Sequence, residues 1–199
     1  MLNLSAGIPY CLTIRHRHRL PMFYEYVDYR FCLSLIEQCL QRYGLHLHAF
    51  VLMFNYSYLL LTSPLKMQIV KLQDDLDSQY GDYFNIRNRR VRNLLQLEFS
   101  MVTVKVDDHL LLYNRYIELA PVRSGRVLHP ADYPWSSYAC NALGEDTGLL
   151  TPHRPYLLLG DNPESRRSRY RQLFEEPEFE NSPSCRPQPP VAQAFHSGF

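Results

Sequence analysis

The chain has 199 residues, 46% of them hydrophobic, and a formal net charge of +1 at pH 7. This length can bury one sizeable core, and so small a net charge does not by itself indicate a nucleic-acid-binding protein. No apolar run approaches the roughly 18 residues of a membrane helix, which excludes a membrane span. Five scattered cysteines predict reduced thiols, and the start of the chain lacks a signal-peptide pattern, so we expect a cytoplasmic protein.

Strands and helices alternate along the chain. The apolar patterns predict strands at 10–15, 46–53, 58–62 and 102–106. They predict helices at 28–43, 67–84, from 107 or 108 to 119, and 161–174. The β-α-β-β-α-β order favours an α+β fold, a ferredoxin-like split βαβ sandwich with helices on one face of an antiparallel sheet. We expect this fold over 1–145, a helical extension over 146–174, and a disordered tail over 175–199.

Two tyrosines stand close together in the apolar run at residues 49–61. One strand ends near Asn55 and the next begins there, so Tyr56 and Tyr58 are two residues apart on a strand and face the same side of the sheet. A pair of histidines in this arrangement would hold a divalent metal. Both positions carry phenols here.

Arginines gather in three clusters although the net charge is low. The clusters are Arg15, Arg17 and Arg19; Arg87, Arg89, Arg90 and Arg92; and Arg166, Arg167, Arg169 and Arg171. Arginine clusters supply the phosphate-directed, salt-sensitive part of DNA affinity. The alternative is that each cluster is a solvated surface.

Four segments resemble the REP-associated tyrosine transposases, the His-hydrophobic-His single-strand DNA nucleases. They are residues 7–15, 43–53, 115–125 and 129–138. The last two carry the most specific strings, Arg-Tyr-Ile-Glu-Leu-Ala-Pro-Val-Arg and His-Pro-Ala-Asp-Tyr-Pro-Trp-Ser-Ser-Tyr. The resemblance implies the same ferredoxin-like fold. It also implies a family chemistry in which magnesium or manganese polarises the scissile phosphate while a helix tyrosine attacks it and forms a 5′-phosphotyrosine link.

The resemblance places Tyr116 at the nucleophile position, and it places Tyr56, Tyr58 and Ala120 at the three metal-ligand positions. A phenol with a pKa near 10 is protonated at pH 7 and is a poor ligand for magnesium or manganese. Alanine has no donor atom. We therefore expect no metal here and no cofactor. Tyr116 is one of 15 tyrosines, and the alternative for it is ordinary helix packing.

Three functions remain open from the sequence. The first is a catalytically degenerate transposase-family protein that binds single-stranded or hairpin DNA through the first two arginine clusters. The second is an active transposase with a non-standard metal site, such as His46 and His48, although core or edge packing is favoured for that pair. The third is a repurposed protein-interaction domain without a DNA role.

Overall fold

A four-stranded antiparallel sheet lies at the centre of the computed structural model, which describes residues 7–88, 95–104 and 107–175. The strands are β1 (Ile8–His16), β2 (His46–Met53), β3 (Tyr56–Ser63) and β4 (Leu97–Thr103). Their order across the sheet is β2-β3-β1-β4. Together with the β-α-β-β-α-β order along the chain, this arrangement confirms the predicted ferredoxin-like class.

Helices connect and flank these strands. They are α1 (Tyr26–Tyr43), α2 (Lys66–Asp75), α3 (Gly81–Arg87), α4 (Asp107–Glu118), α5 (Ala120–Arg123), α6 (Arg154–Leu157) and α7 (Pro163–Gln172). A π-helical turn, Leu76–Tyr80, joins α2 to α3, so the helix predicted at 67–84 is continuous but carries a bulge. No helix in the described part of the chain is long and apolar enough to cross a membrane.

The first helix begins two residues earlier than predicted because Glu25 and Asp28 form a capping box. The Asp28 carboxylate accepts hydrogen bonds from the backbone N–H groups of Tyr24 and Glu25 at 2.8 and 2.9 Å. The Tyr83 hydroxyl donates to the same carboxylate at 2.9 Å, which ties α3 to the start of α1. Gly44, at φ 62°, ends the helix in the left-handed conformation that glycine adopts without strain.

Each face of the sheet carries its own hydrophobic core because successive strand residues point to opposite faces. The core under α1 and α2 includes Leu12, Ile14, Leu59 and Leu61 from the sheet with Ile36, Leu40, Ile69 and Leu72 from the helices. The core on the other face consists of Cys11, Ala49, Val51, Met53 and Leu60 with Val104, Leu110, Tyr113, Ile117 and Ala120. The two crossover helices thus share one face, and α4 lies on the opposite one.

The second face is divided into an apolar half and a polar half. α4 packs against β2 and β3, where the strand residues are buried. Across the β1–β4 half, Thr13 pairs with Ser100 and Arg15 with Glu98, and these side chains are half-exposed. Arg15 forms an ion pair with Glu98 at 2.7 Å. This face therefore offers polar groups beside the helix that covers its other half.

The position of β4 differs from the prediction. The strand runs over Leu97–Thr103, whereas the sequence pattern indicated 102–106. Leu97, Phe99 and Met101 alternate onto the core beneath α1 and α2. This period of two is the stronger strand signal, and the predicted range overlaps only its end.

A buried carboxyl group joins α4 to the rest of the chain. Glu118 is 0% exposed. Its Oε1 accepts hydrogen bonds from the Ser137 hydroxyl at 2.5 Å and the Asn141 amide at 2.8 Å, and its Oε2 accepts one from the Tyr170 hydroxyl at 2.8 Å. Burial raises the pKa of Glu118 to about 7, although the three donors oppose this rise.

The helical extension predicted at 146–174 contacts β2 and α4, and its Tyr156 and Tyr170 form a third hydrophobic cluster with Tyr138 and Ala142. The Thr151 N–H donates to the Leu47 carbonyl at the outer edge of β2, at 2.7 Å. Tyr170 of α7 reaches Glu118, as described above. The boundary at 145 stays a prediction, and the tail predicted at 175–199 lies outside the described residues beyond Glu175.

We expect Glu118→Gln to change how stability depends on pH. The folded-state pKa of about 7 lies above the ordinary value of 4.5, so folding favours the neutral carboxyl group. The stability it contributes is complete below about pH 4.5 and is lost as the pH rises through about 7. The free energy of unfolding of the parent should therefore fall relative to that of the variant by roughly 2–3 kcal/mol over this range. Urea denaturation at several pH values measures the difference, and parallel pH curves for the two proteins would contradict it.

Candidate functional site

Three tyrosines meet on the second face of the sheet. Tyr56 and Tyr58 of β3 lie directly across from Arg15 and Thr13 of β1, at the boundary between the apolar and polar halves. The ring centroids of Tyr56 and Tyr58 are 5.1 Å apart. Tyr116 of α4 packs against Tyr58, with the centroids 5.7 Å apart and the rings at 61°. The structure thus brings Tyr116, predicted to stand at a nucleophile position, next to two of the three residues predicted to stand at metal-ligand positions.

Ala120, the third ligand position, is buried in the same core as these rings. α4 ends at Glu118, and Ala120 opens the short helix α5, because Pro121 has no N–H to continue the hydrogen-bond ladder. Position 120 therefore belongs to a new helical segment after the one that carries Tyr116. Its methyl group has no atom that could bind a metal.

The environment keeps the phenols protonated. Burial raises the pKa of Tyr58, and the neighbouring hydroxyl of Tyr116 raises it further. Burial also raises the pKa of Tyr56, although the positive charges of Arg123 and Arg126 lower it in part. Neutral phenols are poor ligands for magnesium and manganese, so these residues do not fit the metal of the resembled family. Among the described residues, no three His, Cys, Asp or Glu side chains are grouped to hold a metal.

Two arginines that were not predicted as site residues lie beside the tyrosines. The guanidinium carbon of Arg123 is 4.0 Å from the ring centroid of Tyr116, a cation–π contact, and Arg123 also donates to the Tyr116 carbonyl. Arg126 lies over the ring of Phe54 at 5.2 Å. Arg123 belongs to the 115–125 segment that carries the resemblance, but sequence spacing could not show that α5 turns it back onto Tyr116.

The first arginine cluster lies at the same end of the sheet as Tyr56. Arg15 is the residue across from Tyr56, and its charge is paired with Glu98. Arg17 and Arg19 follow the end of β1 and are exposed. The Arg17 guanidinium group makes one long hydrogen bond, of 3.4 Å, to the Gln96 side chain and remains exposed to solvent.

The second arginine cluster is represented among the described residues by Arg87. Its guanidinium group is bound to the carboxylates of Glu25 and Asp28, so its charge is compensated within the protein. Arg89, Arg90 and Arg92 lie outside the described residues.

The third arginine cluster is used within the fold. Arg166 donates to the Gly160 carbonyl at 3.0 Å, Arg169 to the Leu159 carbonyl at 2.7 Å, and Arg171 to the Ala142 carbonyl at 2.7 Å. Arg167 and Arg171 are paired with Glu164. This cluster anchors α7 and is not a free basic surface.

His48 has both ring nitrogens engaged. Its Nδ1 is 2.6 Å from the Thr151 carbonyl and its Nε2 is 2.7 Å from the Thr62 hydroxyl. A carbonyl can only accept, so Nδ1 carries the proton and Nε2 accepts from Thr62. Burial lowers the pKa of His48 to about 4. Thr62 lies on the order of 13 Å along β3 from Tyr58. This geometry does not support a metal site at His46 and His48 beside Tyr116.

The fold and its tyrosine cluster define a ferredoxin-like domain with three tyrosines grouped on one face of its sheet. The structure is similar to that of a REP-associated tyrosine transposase bound to a REP hairpin, with a TM-score of 0.54 and 16% identity, over 74% of this chain and 85% of that chain. A presumed transposase from Deinococcus radiodurans R1 aligns at 18% identity over 58% of this chain and 92% of that chain. Its TM-score of 0.41 is too low to show that the two folds are the same.

No protein-family model matches the chain, and no curated protein matches it in sequence. The chain has the fold of the REP-associated tyrosine transposases. The resemblance seen in the sequence is thereby confirmed at the level of the fold.

We expect the combined change Tyr56→His, Tyr58→His and Ala120→Asn to weaken the packing of this core and to create a metal-binding site. Without metal, it should lower the free energy of unfolding by about 1–3 kcal/mol, because imidazoles fill less of the core than phenols and a buried amide at 120 lacks room. With manganese, the variant should gain a stabilisation that the parent lacks. Thermal denaturation with and without manganese measures both effects. Manganese-dependent stabilisation of the parent itself would show that the phenol site does bind metal.

Proposed function

We propose that this chain is a DNA-binding protein of the REP-associated tyrosine transposase family that has lost DNA cleavage. One observation carries the proposal: Tyr116, at the nucleophile position, packs against a neutral phenol where the family has a metal-binding imidazole. The shared fold supports the family, and the relative of known structure holds a REP hairpin, which favours hairpin or single-stranded DNA as the partner.

Loss of cleavage follows from what a tyrosine attack requires. The phenol must lose its proton, and the phosphate must be polarised by a Lewis acid or an equivalent charge. The ring neighbours of Tyr116 in the described part of the chain are Tyr58 and Arg123. A neutral phenol and a guanidinium group are not bases at neutral pH. Tyr116 therefore keeps its position without the groups that would activate it.

Retained DNA binding is supported by the charges at this end of the sheet. Arg17, Arg19, Arg123 and Arg126 are exposed there. Guanidinium groups bind phosphates through charge-assisted hydrogen bonds. The exposed ring of Tyr24 lies edge-on to Phe54, beneath Arg126. Accessible aromatic rings beside arginines are suited to unpaired bases, which stack on them.

We expect the purified protein not to cleave single-stranded or hairpin DNA in the presence of magnesium or manganese. Labelled DNA should run unchanged on denaturing gels, with no covalent protein–DNA adduct. The control is Tyr116→Phe, which should be indistinguishable from the parent. An adduct that the parent forms and this variant does not would refute the loss of cleavage.

We expect hairpin and single-stranded DNA to bind weakly and with strong salt dependence. Contacts to about four phosphates would give a log–log slope of roughly −3 on single strands. Changing Arg15, Arg17 and Arg19 together to alanine should weaken binding and flatten this slope. Arg42→Ala is the matched control, because Arg42 lies at the end of α1, where it is paired with Asp75. Fluorescence anisotropy measures the affinities. Binding that is undetectable at about 50 mM salt would favour the protein-interaction alternative.

A further inference from the structure

The tyrosine cluster that does not fit a metal presents hydrogen-bond donors and positive charge. Tyr56 and Tyr58 are protonated phenols, and the charges of Arg123 and Arg126 act on Tyr56 by lowering its pKa against the effect of burial. Arg15, directly across from Tyr56, is paired with Glu98. Among the described residues, Arg123 contacts the ring and carbonyl of Tyr116, and no carboxylate is paired with it. The cluster therefore combines neutral O–H donors with an uncompensated guanidinium charge.

We propose that this cluster is a metal-independent binding site for one DNA phosphate group. The hydroxyls of Tyr56 and Tyr58 and the guanidinium group of Arg123 would donate to the non-bridging oxygens of a phosphodiester. This inference rests on the proposed function, because it assigns the phosphate contact of the same DNA-binding surface.

The chemistry of the donors suits a phosphate oxygen. In a metal site, imidazoles hold a cation, and the cation binds the phosphate. Here the phenol hydroxyls would donate hydrogen bonds to the phosphate directly, and Arg123 would supply the positive charge. The rings of Tyr58 and Tyr116 pack together with their centroids 5.7 Å apart, and each protonated hydroxyl has one proton that it can donate to an outside acceptor.

The position of the cluster also suits a charged ligand that is partly removed from water. Tyr56 and Tyr58 are half-buried at the edge of the core beneath α4 and adjoin the polar half of the sheet. Hydrogen bonds at such a boundary are stronger than in bulk water because fewer water molecules compete. The phosphate would reach the hydroxyls from the polar side, while the rings stay packed against the helix.

The test removes hydroxyls without removing rings. One variant carries Tyr56→Phe and Tyr58→Phe, and a second carries Arg123→Gln. The matched control carries Tyr43→Phe and Arg42→Gln, because Arg42 and Tyr43 form a similar pair at the end of α1, 6.0 Å from guanidinium carbon to ring centroid. Circular dichroism and thermal denaturation of each variant establish that it is folded.

Two probes are used, both in EDTA so that trace metal is absent. Inorganic phosphate is titrated while the tyrosine ring signals are followed by NMR, and a single-stranded oligothymidylate is titrated by fluorescence anisotropy. The parent should bind both, and adding magnesium or manganese should not tighten binding. Each site variant should weaken both affinities about tenfold, which corresponds to the loss of one or two charge-assisted hydrogen bonds. The control should bind like the parent.

The outcomes separate this inference from the proposed function. If the site variants bind the oligonucleotide and phosphate as tightly as the parent does, the phosphate site is wrong and DNA binding stands. If the parent binds inorganic phosphate through the cluster but no DNA, the cluster is a phosphate site, while its assignment to DNA and the proposed function are wrong. Binding of both probes that is absent in EDTA and appears only with magnesium or manganese in excess over the EDTA would overturn the metal-independent site. If neither probe binds, both proposals are refuted.

Discussion

The buried carboxyl group of Glu118 determines where Tyr116 lies. Glu118 follows Tyr116 on α4 after a single intervening residue, and it accepts a hydrogen bond from the Ser137 hydroxyl. Ser137 is also bonded to the Phe50 backbone of β2, with its Oγ 3.0 Å from the Phe50 nitrogen. Tyr170 holds the same carboxyl from α7. A fully buried carboxyl group without such donors would cost several kcal/mol, so these three donors keep α4 in one position on the sheet.

This framework holds Tyr116 in place independently of the side chains at positions 56 and 58. The contacts of Glu118 lie on the far side of α4 from the tyrosine cluster, in the C-terminal core that contains Tyr138 and Tyr156. Replacing imidazoles by phenols on β3 leaves that network untouched. It enlarges the apolar contact beneath α4, since Tyr58 packs on Tyr116 and both join the smaller core.

The sequence predicted what depends on local periodicity and missed what depends on tertiary contacts. The apolar stripe and Gly44 predicted the end of α1 correctly and its start to within two residues. The spacing of Tyr56 and Tyr58 predicted that they share one face of the sheet. Both predictions follow from the geometry of a single element. The face chosen by α4 could not be predicted, since it depends on Glu118 meeting Ser137 across 19 residues of chain. The ion pair between Arg87 and Asp28, which compensates the charge of Arg87, likewise could not be predicted from the number of charged residues.

The two edge strands of the sheet, β2 and β4, differ in whether other parts of the chain bond to their outer sides. The chain itself closes the outer edge of β2: Leu52 donates to the Trp135 carbonyl, Ser137 to the Phe50 carbonyl, and Thr151 to the Leu47 carbonyl. Backbone groups that would otherwise invite a foreign strand are thereby satisfied. β4 pairs with β1 on its inner side, and within the described residues no strand lies outside it. Any strand added to this sheet from a second molecule would therefore have to pair with β4, beyond Leu97, whose N–H donates to the Asp77 carboxylate.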